Sequence, residues 1–158
     1  ALGDKVNQNS GSMGVAFSSC TVPAAGKPTF ELGADEMEFG VGIHGEPGRR
    51  RDKIKPAQDI TNELLEAIID DLKPNSNDET LLFVNGMGGT PLTELYLIFD
   101  NAKKMLDSKN VKIVRSLVGN YCTSLEMQGA SITLTKLDDE LLKHWDSAVH
   151  TAALRWGM

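Results

Sequence analysis

The chain has 158 residues, 41% of them hydrophobic and 24% charged, and 16 basic against 22 acidic side chains give a formal net charge of −6. That length fits one domain with a core large enough to need no disulfide or metal staple, and the composition excludes a disordered or collagen-like chain. The acidic balance repels phosphate backbones and argues against nucleic-acid binding, and no stretch approaches the ~20 apolar residues of a membrane-spanning helix.

The opening residues, Ala1 to Lys5, carry no secretory pattern and no initiator Met, and the polar stretch from Asp4 to Ser12 reads as the tail of a helix. The expectation is a fragment of a longer cytoplasmic protein. Residues 13–22 are small and apolar, and the two prolines around Gly26 predict a turn-rich loop from Pro23 to Pro28. Met37, Phe39, Val41 and Ile43 alternate with Glu or Gly, which predicts a strand ending directly at His44; the glycines on its other face admit another backbone or a ligand. The basic run Arg49–Arg51 with Lys53 and Lys55 is offset by Glu46 and Asp52 and reads as a solvated loop.

Ile60, Leu64, Leu65, Ile68, Ile69 and Leu72 form one apolar stripe at helical spacing between Pro56 and Pro74. Thr80 to Asn85 is a continuous apolar run, as in a strand buried on both faces. After it, Thr90 is the expected N-cap and Pro91 the first residue of a second helix, with Leu92, Leu95, Tyr96, Phe99, Ala102 and Leu106 on its buried side. Three further strands are expected at Val111–Arg115, Tyr121–Met127 and Ser131–Thr135, and Asp138-Asp139-Glu140 open a short helix reaching Trp145. Alternation of strand and helix, followed by clustered strands, predicts a single α/β layered domain over 1–158, with a mixed sheet covered by helices.

Cys20 and Cys122 lie in no C-x-x-C pair and no zinc-ligand spacing, so both are expected as reduced thiols packed like small hydrophobes. Among the glycine-rich loops, Asn85-Gly86-Met87-Gly88-Gly89-Thr90-Pro91 joins a strand to a helix N-terminus. Two readings are open there: glycines that allow a tight turn, or backbone N–H groups that meet an anion or partner. It lacks the G-K-[ST] of a Walker loop. The loop from Val22 to Pro28 carries one cation, Lys27, between rigid prolines. In Ile43-His44-Gly45-Glu46-Pro47-Gly48 the glycines leave the imidazole approachable, and Glu46 is close enough in sequence to fix its tautomer. His44 is either a reactive group or a residue that merely caps the loop.

Several blocks bear on that choice: Ser12-Met13-Gly14-Val15-Ala16, Ser19 through Pro28, Gly40 through Gly48, Tyr121 through Met127, and Trp156-Gly157. Together and in this order they resemble dihydroxyacetone kinase, specifically the C-terminal half of its dihydroxyacetone-binding subunit, over nearly the whole chain. The resemblance implies the fold of that subunit's second domain. It also implies that His44 attacks the C2 carbonyl of dihydroxyacetone to form a covalent hemiaminal, so that glycerol, which has no carbonyl, is refused. The family's acid/base histidine, its aspartate and a substrate-contacting lysine belong to the N-terminal half of the subunit, and nothing in residues 1–158 matches them. His144 and His150 are expected to be structural or exposed.

By the same resemblance no cofactor or metal is bound by this chain. ADP or ATP with magnesium is expected on a separate nucleotide-binding kinase subunit, in a phosphotransferase-system pathway of glycerol metabolism, and the full-length subunit is expected to be a homodimer. The absence of a Pro/Ser-rich linker after Trp156-Gly157 favours the separate-subunit type. The chain alone is expected to transfer no phosphate. The alternative is a regulatory paralogue that binds dihydroxyacetone without phosphorylating it.

Overall fold

The computed structural model describes residues 1–44 and 48–157. In chain order these form helix α1 (Leu2–Gln8), strands β1 (Ser10–Ala16), β2 (Glu36–Phe39) and β3 (Arg50–Lys53), helix α2 (Ala57–Leu72), strand β4 (Glu79–Gly86) and helix α3 (Leu92–Ser108). Strands β5 (Lys112–Gly119) and β6 (Gly129–Leu137), helix α4 (Asp139–Trp145) and two short strands, β7 (Val149–His150) and β8 (Arg155–Trp156), complete the described chain.

The six longer strands form one sheet in the order β3-β2-β1-β6-β4-β5. Only β4 and β5 run parallel, joined by the α3 crossover that a parallel pair requires; every other neighbouring pair is antiparallel. The architecture is the expected α/β layering on a mixed sheet. Strand β6 is central, pairing with β1 from Gly129 to Thr135 and with β4 from Ala130 to Leu137.

Alternation along the strands separates two unlike faces. Met13 and Val15 of β1, Ile132 and Leu134 of β6, and Leu82 and Val84 of β4 join Ile60, Leu64, Leu65, Ile68 and Leu72 of α2 and Leu95, Ala102 and Leu106 of α3 in the main core. The stripe read from the α2 sequence is thus the buried one. On α3 the stripe is narrower than expected. Leu92 and Tyr96 are 48% and 53% exposed. At 3.6 residues per turn Tyr96 lies about a quarter turn from the centre of the Leu95–Ala102–Leu106 line, and Leu92 belongs to the first turn, at the helix's end.

On the other face β1 and the facing stretch of β6 carry small and polar side chains. Ser10 and Thr135 share a hydroxyl hydrogen bond of 2.8 Å, and Ser12 and Thr133 one of 2.9 Å, each between cross-strand partners. Helices α1 and α4 contact β1 and β6, and Leu2, Val6, Leu81, Leu137 and Leu141 border an apolar groove between them. Asp138 caps α4 by accepting a hydrogen bond from the Leu141 N–H at 2.9 Å, at the head of the helix that Asp138-Asp139-Glu140 are expected to open. At the C-terminal end β7 pairs with β8, and the Trp145 and Trp156 rings stand 5.0 Å apart. Among the described residues, no helix is long and apolar enough to cross a membrane.

Two expected strands differ from the structure. The alternating segment 37–43 is a strand only to Phe39, so His44 stands beyond the strand rather than directly at its end. Gly40 takes φ +82° and donates its N–H to the Gly14 carbonyl at 2.7 Å, turning the chain across β1. Val41 is buried as the period suggests, but in a different cluster from Met37 and Phe39. Residues 121–127 are a loop and not a strand, for reasons given below.

Candidate functional site

His44 lies in the loop that joins β2 to β3. The loop is closed at its base where the Arg49 N–H donates to the Phe39 carbonyl at 2.6 Å and the Gly48 N–H donates to Glu38 Oε1 at 3.2 Å. Glycine is required at position 48, since a Cβ there would stand 2.4 Å from the Phe39 carbonyl oxygen. Val41 anchors the ascending limb. It packs with Ala16, Cys20, Met87 and Met127 in a small cluster apart from the main core. Three residues on, His44 is exposed. Glu46, the expected partner of its ring, lies outside the described residues.

A cavity of about 260 Å³ adjoins this limb, bounded by the backbone from Gly40 to Ile43, by Ser12, Gly14 and Ser131 on the polar face of the sheet, and by Met87. Its lining thus combines three glycines and two serines with the apolar residues Met13, Val41, Ile43 and Met87. A larger hollow of about 550 Å³ opens by α2, lined by Gly11, Arg49, Asp70 and Asp71 among others. Ser12 and Met13 line both hollows, and the smaller one adjoins the segment that leads to His44.

The second glycine loop makes the tight turn that one of the two sequence readings required. The Met87 N–H donates to the Gly129 carbonyl (3.0 Å), the Gly88 N–H to Asn120 Oδ1 (3.2 Å) and the Gly89 N–H to the Met127 carbonyl (2.8 Å). These three N–H groups are occupied by protein. The glycines are needed because the 120–128 loop lies directly on them: a Cβ would stand 1.9 Å from the Leu125 carbonyl oxygen at Gly88 and 2.4 Å from that of Glu126 at Gly89. Thr90 is not the helix cap expected of it. Its hydroxyl donates to the Gly129 carbonyl at 2.7 Å and accepts the Gly129 N–H at 2.9 Å, tying the loop to β6, while Pro91 occupies the N-cap position of α3.

Asn85 explains why residues 121–127 are not a strand. Its side chain accepts the N–H groups of Tyr121 (3.0 Å) and Cys122 (2.9 Å) and donates to the Cys122 carbonyl at 2.8 Å, taking the bonds a sheet ladder would need. The Ser124 N–H then donates to the Met87 carbonyl at 2.7 Å, and the Ser124 hydroxyl to Cys20 Sγ at 3.2 Å. Glu126 Oε1 accepts the Thr21 N–H at 2.7 Å. Hydrogen bonds from its own backbone N–H, and then from Thr21, hold the Glu126 carboxyl below the usual carboxylate range. Sequence reading missed Asn85, Thr90 and Ser124. The available signal was an amide ending an otherwise apolar strand, a buried polar group that must find partners.

Cys20 is 4% exposed and packs like a small hydrophobe, whereas Cys122 is exposed at the surface of the 120–128 loop, against the expectation that both are packed; both are free thiols. His144 is exposed and borders the groove between α1 and α4, and His150 is exposed in β7, so neither reaches the His44 cavity. The basic run is strand β3 at the sheet edge. Arg50 lies over the Phe39 ring at 4.5 Å and pairs with Asp52 (2.9 Å) and Glu63, while Arg51 pairs with Glu38 at 3.2 Å. These cations are matched by carboxylates and form no free patch. Among the described residues no three His, Cys, Asp or Glu side chains gather closely enough to hold a metal ion.

The chain is 41% identical to the dihydroxyacetone-binding subunit DhaK of the PEP-dependent dihydroxyacetone kinase of Escherichia coli K12, over 99% of this chain and 51% of that protein. It is 48% identical to the corresponding subunit of a PTS-dependent kinase of Listeria innocua, over 89% of this chain and 43% of that protein. A dihydroxyacetone kinase operon co-activator, DhaQ, superposes with a TM-score of 0.85 at 31% identity over 93% of this chain and 46% of its own. The kinase of C. freundii in complex with AMP-PNP and Mg²⁺ gives 0.77 at 26% identity, over 96% of this chain and 28% of its own. The chain spans about half the length of the DhaK relatives it matches. Residues 1–153 match the Dak1 domain model, and the chain belongs to the Dak1 domain family.

Proposed function

We propose that this chain supplies the ketone-capturing wall of a dihydroxyacetone kinase, with His44 as the covalent ligand of dihydroxyacetone. The observation that carries this reading is an exposed imidazole one residue beyond Ile43, where the chain leaves a cavity lined by Gly40, Gly42, Ser12 and Ser131. A neutral ring nitrogen is a nucleophile near neutral pH, and a ketone carbon is a matching electrophile. The nitrogen lone pair forms an N–C bond at C2. The carbonyl π pair moves to oxygen, which takes up a proton, while the other ring nitrogen releases one; no oxidant or reductant is involved. Bare backbone at Gly40 and Gly42 leaves room for the tetrahedral carbon, and hydroxyls such as Ser12 and Ser131 suit the terminal CH₂OH groups. Glycerol carries the same hydroxyls but offers no electrophile, so the covalent bond supplies the discrimination that hydrogen bonding alone lacks.

In this reading the chain is the C-terminal half of a dihydroxyacetone-binding subunit that acts as a dimer. Acid/base groups from the N-terminal half and a nucleotide-binding partner carrying ADP or ATP with magnesium complete phosphoryl transfer to dihydroxyacetone phosphate. The names of the DhaK relatives, PEP- or PTS-dependent, support the phosphotransferase-system type. A second reading has its own support, since a co-activator of the operon superposes at TM-score 0.85: a ketone-binding regulator that phosphorylates nothing.

Incubation with dihydroxyacetone labelled with ¹³C at C2 tests the chemistry. The labelled carbon is expected to leave the ketone region for that of an sp³ carbon bearing N and O, and the protein to gain the mass of one triose. His44→Ala is expected to lose both signals while staying folded, because the side chain is exposed. An adduct that persists in His44→Ala overturns the assignment. Formation of dihydroxyacetone phosphate with a nucleotide-binding partner present separates the kinase from the regulator.

A further inference from the structure

We propose that Met87 is a positioning residue for the His44 limb, an inference that rests on the ketone-binding reading and concerns how that histidine is aimed. The glycine loop after β4 has no free N–H at Met87, Gly88 or Gly89 for an anion. What it carries inward is one side chain. Met87 is 1% exposed, belongs to the same small cluster as Val41, and borders the cavity beside His44.

The contact is tight on the opposite side too. A Cβ on Gly14 would stand 2.8 Å from Met87 Cε and 2.8 Å from the Val41 carbonyl oxygen, so the bare backbone of β1 sits against both. The Gly14 carbonyl in turn receives the Gly40 N–H at 2.7 Å. Met87 is fixed at its own backbone from two directions, donating its N–H to the Gly129 carbonyl and accepting the Ser124 N–H. An anchored, unbranched thioether thus determines how far Val41 settles toward the sheet, and Val41 stands three residues before His44. Through this packing the glycine loop acts on the ketone site by way of the limb that carries His44. Leucine fills nearly the same volume as methionine, whereas alanine leaves a void into which Val41 can move.

The test uses the protein with ¹³C-labelled histidine rings, the His44 signal being assigned by its loss in His44→Ala. Met87→Ala is expected to shift or split that signal without ligand and to raise the Kd for dihydroxyacetone about tenfold, in line with the sensitivity of reacting groups to misplacement. Met87→Leu is expected to restore both readouts to within about twofold. Leu106→Ala, a fully buried control on α3, is expected to lower Tm and leave both unchanged. An unmoved His44 signal and unchanged Kd in Met87→Ala, or equal changes in Leu106→Ala, overturn the proposal. Should the unsubstituted protein take up no ketone, the ketone-binding reading fails. The His44 signal then decides the role of Met87 by itself: moved by Met87→Ala but not by Leu106→Ala it stands, and unmoved it falls.

Discussion

Replacing Asn85 by alanine isolates the device that holds the 120–128 loop onto the sheet. Asn85 is 3% exposed and makes three hydrogen bonds of 2.8–3.0 Å to the backbone of Tyr121 and Cys122. At a net ~0.5–1.5 kcal/mol each, their loss costs about 1.5–4.5 kcal/mol. Tyr121 and Cys122 are exposed, so water can reach the abandoned N–H and carbonyl groups, which places the cost in the lower part of that range, about 2–3 kcal/mol. For a protein of this size that corresponds to a fall in Tm of about 5–10 °C. Urea unfolding with an unchanged m-value measures the free energy, and amide hydrogen exchange locates it. Protection is expected to drop first in the loop amides, notably Ser124, whose N–H is held by the Met87 carbonyl. A loss below about 0.5 kcal/mol, the level of an ordinary surface change, refutes the reasoning, as does exchange that accelerates uniformly over the sheet instead of in the loop.

Three other substitutions or conditions probe separate parts of the fold. Gly88→Ala combines φ +122° with a Cβ 1.9 Å from the Leu125 carbonyl oxygen and is expected to cost about 3 kcal/mol or more by chemical denaturation; a neutral result contradicts the close approach of the two loops. A thiol-reactive dye is expected to label Cys122 rapidly in the native protein and Cys20 only after unfolding, with peptide mapping to tell them apart. Acid is expected to destabilise the protein through carboxylates held below their usual range: Asp138 by the Lys5 ammonium and then the Leu141 N–H, and Asp146 by the forked Arg115 guanidinium at 2.6 and 2.7 Å. Because their folded-state pKa values are depressed, their contribution is complete above the ordinary value of 3.8 and disappears as pH falls through the folded values. Tm is therefore expected to be flat near neutrality and to fall below that point, and Asp146→Asn to flatten part of the fall; an equally steep fall in Asp146→Asn counts against the pairing.

What the sequence by itself determined was local. The stripe from Ile60 to Leu72, the apolar runs at 80–85 and 131–135, and the helix opened by the acids at 138–140 follow from short-range patterns, and each reappears in the structure because the forces that set it act between near neighbours. The glycines around His44 were legible for the same reason, as positions where side chains are missing. Tertiary structure decided the rest. Whether 121–127 joins the sheet depends on the Asn85 amide, 36 residues before Tyr121. Whether Thr90 caps a helix or clips β6 depends on Gly129, 39 residues away. Val41 follows a strand's period yet is buried with Met87 and Met127, and Tyr96 follows a helix's period yet is 53% exposed. Periodicity states that a side chain faces one way, but burial requires another segment to be there, and which segment arrives is fixed only when the sheet order and its loops close together.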